Sequence, residues 1–271
     1  MNPIPQVDAK IKRASFLINE LESLCQQYIN SNDFRVDRVQ IGTHEWNLIL
    51  RVHEAPPLFL GILVGDIVHN LRSSLDIAIF HYLQEANPRR FAALDYKSIH
   101  SIKFPIFLSS TRFEDGKWHG GLADEQLIFD LREVQPFRYI DLAESETERL
   151  SICESSPLWQ LHSLWNADKH RGINLVVGSL DMLMLGLNQG EESVWLVRDA
   201  PPWKDGSVIF NLKLKSDQEA PALNLSETFA IGLESDIKPL QIYPIVSKLQ
   251  ALLGNAEHCH WVLQRWFEHR N

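Results

Sequence analysis

Apolar residues recur every three or four positions near the start of the chain. Ile11, Ala14, Leu17, Ile18, Leu21, Leu24, Cys25 and Tyr28 alternate with charged residues, which predicts an amphipathic helix over 8–29. The period then shortens. Residues 34–41 and 46–53 are rich in Val, Ile and Trp, with Leu48, Leu50 and Val52 in alternation and a turn at 42–45, so a β-hairpin is expected before Pro56 and Pro57. A second helix is predicted from Leu58 to Glu85, stopped by Asn87 and Pro88. Irregular chain is expected over 88–121, with a glycine-rich turn at 116–121, followed by a short helix over 124–134 that halts before Pro136. Pro157 opens a further helix that runs to Arg171, where Gly172 supplies the stop. From there the period is two. Short β-rich runs at 173–177, 182–187, 194–197, 208–214 and 228–233 predict an antiparallel meander, and the early hairpin is placed to complete that sheet. Pro244 opens a last helix whose apolar face carries Ile245, Leu249, Leu252, Leu263, Trp266 and Phe267. The pattern is α+β: one domain over 1–271, with a bundle of four to five helices packed with the meander and hairpin.

Composition narrows the class. A chain of 271 residues with 45% hydrophobic and 23% charged residues buries a sizeable core and folds as a globular protein. Its net charge of -9 argues against a broad grip on DNA, whose affinity depends on many Lys and Arg, but leaves room for a small basic site. The first residues lack the charged start and apolar core of a secretory leader, and the greasy run over 57–64 is too short to span a bilayer. A cytoplasmic protein with no membrane partner is expected. Three separated cysteines suggest reduced thiols, neither a disulfide framework nor a thiolate zinc cage. His258, Cys259 and His260 point about 100° apart on a helix and cannot all face one ion, so no metal is expected. The chain has no GxxxxGK[ST], GxGxxG, HExxH or GxSxG motif, so no cofactor is expected and the common nucleotide and hydrolase classes are not indicated. Core packing explains Trp165, Trp195 and Trp266, whereas Trp118 and Trp203 lie in loop contexts open to a ligand.

Two helices carry the candidate chemistry. On the second, His69, Arg72 and Asp76 form one polar row opposite a broad apolar stripe, at spacings that let neighbouring side chains meet. A solvated face with an ordinary Arg–Asp pair is the structural alternative. On the helix from Pro157, Leu158, Leu161, Leu164 and Trp165 define an apolar stripe that contains Asp168. A carboxylate turned toward the core needs a cationic or hydrogen-bonding partner unless it is protonated or sits at a solvent-filled cleft, and Arg72, His69 and its own neighbours are the candidates. Lys169, His170 and Arg171 follow within one turn, where the helix macrodipole alone accounts for cations. Capping does not account for Asn166 or Asp168.

The blocks His69-Asn-Leu-Arg-Ser-Ser-Leu-Asp76, Phe104-Pro-Ile-Phe107 and Asn166-Ala-Asp-Lys-His-Arg171 resemble the signatures HNLRSxLDH, FPI and NxDKHR of a family of bacterial proteins of unknown function. The combination is specific although each piece is short, and it implies membership without an activity. A remoter similarity is to HEPN proteins, helical and often dimeric, many of them metal-independent endoribonucleases of RNA processing and phage defence. Their motif is an Arg followed by four to six residues and then His, the Arg stabilising phosphate charge and the His moving protons. Arg72 matches that Arg, but the admissible His positions hold Ile77, Ala78 and Ile79, and His81 lies outside the spacing. The similarity therefore implies either that this chemistry is lost or that His69 and His170 supply it.

Three readings follow. In the first the protein binds a small phosphate- or carboxylate-bearing ligand: Arg72, Lys169, His170 and Arg171 make a cationic pocket, shaped by Asp76, Asn166 and Asp168. In the second it is a ribonuclease acting on RNA phosphate, with Arg72 and either His69 or His170 catalytic. In the third the charged residues only bolt two helices together. The similarity to HEPN proteins adds the expectation of a homodimer. Convergence of Arg72 and His170 to within about 8 Å around an accessible cavity favours the first two, and a sealed Arg–Asp network the third.

Overall fold

The computed structural model describes residues 4–32, 34–138, 145–177, 193–197, 204–214, 231–234 and 244–270. It is mostly helical, with small antiparallel sheets, and belongs to the α+β class. The backbone falls into two compact units, one formed by residues 1–20, 62–172 and 248–271, the other by 21–61 and 173–247.

The first unit is helical. It contains the start of α1 (Pro5–Ser31), most of α2 (Leu58–Ala86), α3 (Pro88–Ala92), α4 (Tyr96–Ser101), α5 (Ser110–Glu114), α6 (Glu125–Glu133), α7 (Glu146–Glu154), α8 (Pro157–Arg171) and most of α9 (Ile245–Arg270). Burial follows the expected stripes: Ala14, Leu17 and Ile18 on α1, Leu158, Leu161 and Leu164 on α8, and Leu249, Leu252, Cys259 and Leu263 on α9. The core is built on α2. Val64, Ile67, Val68, Leu71, Leu75, Ala78 and Ile79 are all at 0% exposure, and the buried surface extends round the helix to Ser74 and Arg72. By length and composition α2 could cross a membrane, but 56% of its most apolar window is buried inside the protein.

Residues 88–121 are more ordered than expected, because each short helix has a local start signal. Pro88 opens α3, the Asp95 carboxylate accepts from Ser98 N at 2.7 Å to cap α4, and Lys117–His119 form a 3-10 turn. Trp118 is not a loop residue facing a ligand. It is 4% exposed, stacks on Phe113 and donates its indole N–H to the Phe113 carbonyl at 3.0 Å. The sequence reading omits α7, whose residues are largely exposed and so carry no apolar stripe; its signal is a cap, with Ser145 Oγ accepting from Glu148 N.

The second unit holds the end of α1 and the strands β1 (Arg35–Gly42), β2 (Glu45–Arg51), β3 (Leu175–Val177), β4 (Ser193–Val197), β5 (Val208–Leu214) and β6 (Ile231–Leu233). One antiparallel sheet runs β1-β2-β5-β4, so the early hairpin does join the later strands, with Trp46 opposite Leu212 and Asn47 opposite Asn211. Asn211 is 1% exposed and donates to Asn47 Oδ1 across that register at 3.1 Å. β3 pairs with β6 in a separate ladder, so among the described residues only β4 and β5 are joined as successive strands of a meander after Gly172. The expected run at 182–187 and Trp203 lie outside the described residues.

Two glycines let chain approach α2 closely. A Cβ on Gly61 would meet the Ile173 carbonyl oxygen at 2.0 Å, and one on Gly65 would meet Asp168 Oδ1 at 2.2 Å. Gly to Ala in a helix interior ordinarily adds about 1 kcal/mol of stability. Here the sign reverses, because added atoms in a filled space cost about 1–3 kcal/mol. Urea unfolding of Gly61→Ala is expected to show a loss of about 2 kcal/mol, since a backbone carbonyl must move. Gly65→Ala is expected to cost less, and Asp168→Ala in that background to restore most of the loss. Neutral or stabilising effects for both single variants would contradict the close approaches.

Candidate functional site

The site starts from a buried extended segment. Phe104-Pro105-Ile106 lies in the helical unit with no neighbouring strand, so its backbone polar groups need other partners. Side chains supply them. Asp76 Oδ1 accepts from Phe104 N at 2.9 Å, and Arg72 Nη2 donates to the Phe104 carbonyl at 2.9 Å. Gln135, at 0% exposure, donates from Nε2 to the Pro105 carbonyl at 2.9 Å and accepts from Phe107 N at 3.1 Å. Arg72 Nη2 also donates to Asp76 Oδ1 at 2.9 Å, the i,i+4 pair that the spacing on α2 predicts. Asp76 and Arg72 therefore act together on both backbone groups of one residue.

That arrangement uses two of the five guanidinium N–H donors. Both protons of Nη2 are engaged, but among the described residues Nε and Nη1, both buried, have no acceptor, on a residue only 3% exposed. Neighbouring groups have the same character. The Trp165 ring lies 5.4 Å from the Arg72 guanidinium carbon, and its indole Nε1 is buried without a partner. On the preceding turn, His162 Nε2 meets Asn166 Nδ2 at 3.0 Å. An amide nitrogen can only donate, so Nε2 accepts and the neutral ring carries its proton on Nδ1. That Nδ1 is also buried without a partner. The cluster is thus a set of donors, Arg72 Nε and Nη1, Trp165 Nε1 and His162 Nδ1, with no acceptors to match.

Cations crowd round it. Lys169 Nζ sits 3.0 Å from the centroid of the Trp165 ring, so one indole carries both a lysine and an arginine. Desolvation, then the charges of Lys103 and Arg72, lower the Lys169 pKa, while Asp76 raises it. Desolvation pushes His162 down to about 4, helped by Arg72 and Lys169, which keeps the ring neutral at physiological pH. Desolvation also lowers Arg72, against the opposing pull of Asp76. Desolvation raises Asp76, against Arg72, the Phe104 N–H, Lys103 and Lys169. Three cations, Arg72, Lys103 and Lys169, thus share the field of one carboxylate. Chemically this donor set is complementary to an oxyanion, which brings both acceptor lone pairs and negative charge.

The expected site residues divide. Arg72, Asp76 and Lys169 belong to this cluster, and Asn166 belongs through His162. Arg72 is not part of a solvated polar row on α2; the sequence reading missed that the 104–107 segment covers it. His69 is exposed, its carbonyl accepts from Ser73 Oγ at 2.7 Å, and its imidazole has no partner among the described residues. His170 is exposed and has no hydrogen bond, ion pair or ring contact among the described residues, so no contact joins it to Arg72. Arg171 is exposed at the end of α8. Asp168 departs most from expectation. It turns toward α2 but is half-buried against Gly65, with no cationic or hydrogen-bonding partner among the described residues. A glycine leaves room for the carboxylate at the backbone, and partial solvation replaces the ion pair.

Sequence reasoning missed His162, Lys103 and Gln135. For His162 the signal was present: positions 162, 165, 166 and 169 recur at helical spacing and share one face of α8. No family model matches the chain, and no curated protein or solved structure matches it.

A pH dependence follows from the neutral ring. His162 holds its proton less well in the fold, at about 4, than at its ordinary 6.5, so the unfolded chain takes up the proton first as pH falls. Stability is complete above about 6.5 and lost progressively toward about 4. His260, also pushed down to about 4 by burial, adds a second contribution of the same sign. Unfolding free energies measured over that range are expected to fall with pH, and His162→Gln to flatten the slope by the His162 share. An unchanged slope in His162→Gln would contradict a buried neutral ring.

Proposed function

We propose that the helical unit binds a small phosphate- or carboxylate-bearing ligand at the free edge of Arg72, between α2 and α8. One observation carries this reading: a nearly fully buried guanidinium keeps Nε and Nη1 without acceptors, beside two further unpartnered donors on Trp165 and His162. Each buried donor to which an acceptor is supplied recovers about 1–3 kcal/mol, and an oxyanion supplies several acceptors at once. Lys169 and Lys103, both exposed, provide the approach. The roles differ from those expected for His69 and His170: His162 is the imidazole of this reading, and Asp76 holds Arg72 in place. The proposed architecture remains a helical bundle with an antiparallel meander, and the proposed setting is a cytoplasmic homodimer. Buried free thiols at Cys25, Cys153 and Cys259 support the reducing compartment.

Calorimetric titration with inorganic pyrophosphate at low ionic strength tests the site. Saturable binding is expected, weakened about three- to tenfold in Lys169→Gln and in Lys103→Gln, and weakened again by added salt. Absence of saturable binding, or binding indifferent to both substitutions, would overturn the proposal. The ribonuclease alternative keeps the same Arg72 but needs a proton carrier. Incubation with labelled RNA in EDTA supports it if defined products form and vanish in His162→Gln, and removes it if no product forms.

The saturated Nη2 edge favours a second reading, in which Arg72 and Asp76 only fasten the 104–107 segment to α2. That reading expects Arg72→Met combined with Asp76→Leu to fold with little loss, as paired replacement of buried ions often does. It also expects the parent protein to ignore pyrophosphate.

A further inference from the structure

A second site of opposite character lies elsewhere in the helical unit. A cavity of about 230 Å³ opens between the first turns of α1, the middle of α2 and the second half of α9. Its walls are apolar, with Val7 and Ile11 from α1 and Ala78 from α2, and Tyr82 and the exposed indole of Trp261 complete them. Two carboxylates, Asp8 and Glu257, also line it, and His260 is its third polar group of note.

The protonation pattern of His260 follows from its neighbour. Ser74 Oγ donates its single proton to the Leu71 carbonyl at 2.7 Å, so its 3.0 Å contact with His260 Nε2 must be one in which the ring donates. Burial keeps the ring neutral, hence Nδ1 carries a lone pair and no proton. Nδ1 is buried and has no partner. Asp8 Oδ2 is paired with Lys12 at 3.1 Å, a pair exposed to solvent on both sides, and Glu257 has no hydrogen bond or ion pair among the described residues. Gln264, also on the cavity, donates one of its two side-chain N–H groups to Glu268 at 2.8 Å. The charged groups that line the space are therefore two carboxylates, set round an apolar lining beside the Tyr82 hydroxyl, the second N–H of Gln264 and the His260 ring.

We infer that this cavity binds an organic ammonium ion: a protonated primary amine whose alkyl or aryl stem fills the apolar part and whose N–H groups meet Asp8, Glu257 and the lone pair of His260. An ammonium has three donors and no acceptor, which matches that set, whereas a neutral alcohol leaves charge unpaired and a carboxylate is repelled. Arg265 lies 5.3 Å and the His258 ring 5.8 Å from the Trp261 ring, so the indole is assigned apolar wall and not a cation cage. The inference is independent of the Arg72 site, which takes the opposite charge.

Calorimetry with three probes of equal length tests it: n-hexylammonium, 1-hexanol and hexanoate. Hexylammonium is expected to saturate one site, with 1-hexanol at least about tenfold weaker and hexanoate silent. Glu257→Gln and Asp8→Asn, both at accessible positions, are each expected to weaken the amine about three- to tenfold without a change in melting temperature. His260→Phe keeps the ring volume and removes the lone pair, and is expected to weaken the amine further, its melting curve reporting separately on the fold. Equal binding of 1-hexanol and hexylammonium would make the cavity a mere apolar hole and overturn the inference. So would amine binding indifferent to both carboxylate substitutions, or no amine binding at all.

Discussion

A guanidinium taken out of water must find acceptors inside the protein, and among the described residues Arg72 finds them at one nitrogen. Its Nη2 is fully committed to Asp76 and the Phe104 carbonyl, while Nε and Nη1 have none there. The committed edge fixes where the 104–107 segment lies on α2. Without it, Phe104 would carry an unpaired N–H and an unpaired carbonyl in the core, at about 1–3 kcal/mol for each. The structural reading of Arg72 rests on the bonded Nη2, and the proposed functional one on the unbonded Nε and Nη1.

The rest of the site follows from what can be placed beside a half-paired cation. An indole can, since its face is electron-rich, and Trp165 accepts both Arg72 and Lys169. An imidazole can if it stays neutral, and His162 does so because burial and the two cations oppose its protonation. A further carboxylate would have closed the network, and the sequence offers Asp168 for that purpose. The structure instead sets Asp168 against Gly65, leaving the cluster rich in donors. A local positive site on a chain of net charge -9 is a concentrated feature, and it makes a small oxyanion a better match than a long polyanion.

Much of this was legible before the coordinates. The limits of α2 and α8, the Arg72–Asp76 pair and the hairpin entering the sheet follow from periodicity, spacing and Gly or Pro stops, which are local properties. What escaped was set by tertiary contacts. The burial of Arg72 depends on a segment 32 residues away, and the role of Gln135 on that same segment. The inward direction of Asp168 is legible from its helical position, but its partial solvation against Gly65 is not, because a helical wheel shows direction and not what the neighbouring helix presents there. His162 stands outside the charged end of α8, and only its helical spacing from Trp165, Asn166 and Lys169 marks it in the sequence. The short helices over 88–121 lack the length for a periodic signal, and only their caps mark them.

The most direct test is to look for the acceptor. A crystal of the protein soaked in sodium selenate, with data collected at the selenium edge, locates a tetrahedral oxyanion by its anomalous signal. The account predicts a peak whose oxygens lie within hydrogen-bonding distance of Arg72 Nε and Nη1, with His162 Nδ1 or Trp165 Nε1 as a further donor. An Arg72 whose free edge is met only by protein groups or water, with no anomalous peak beside it, would contradict the account.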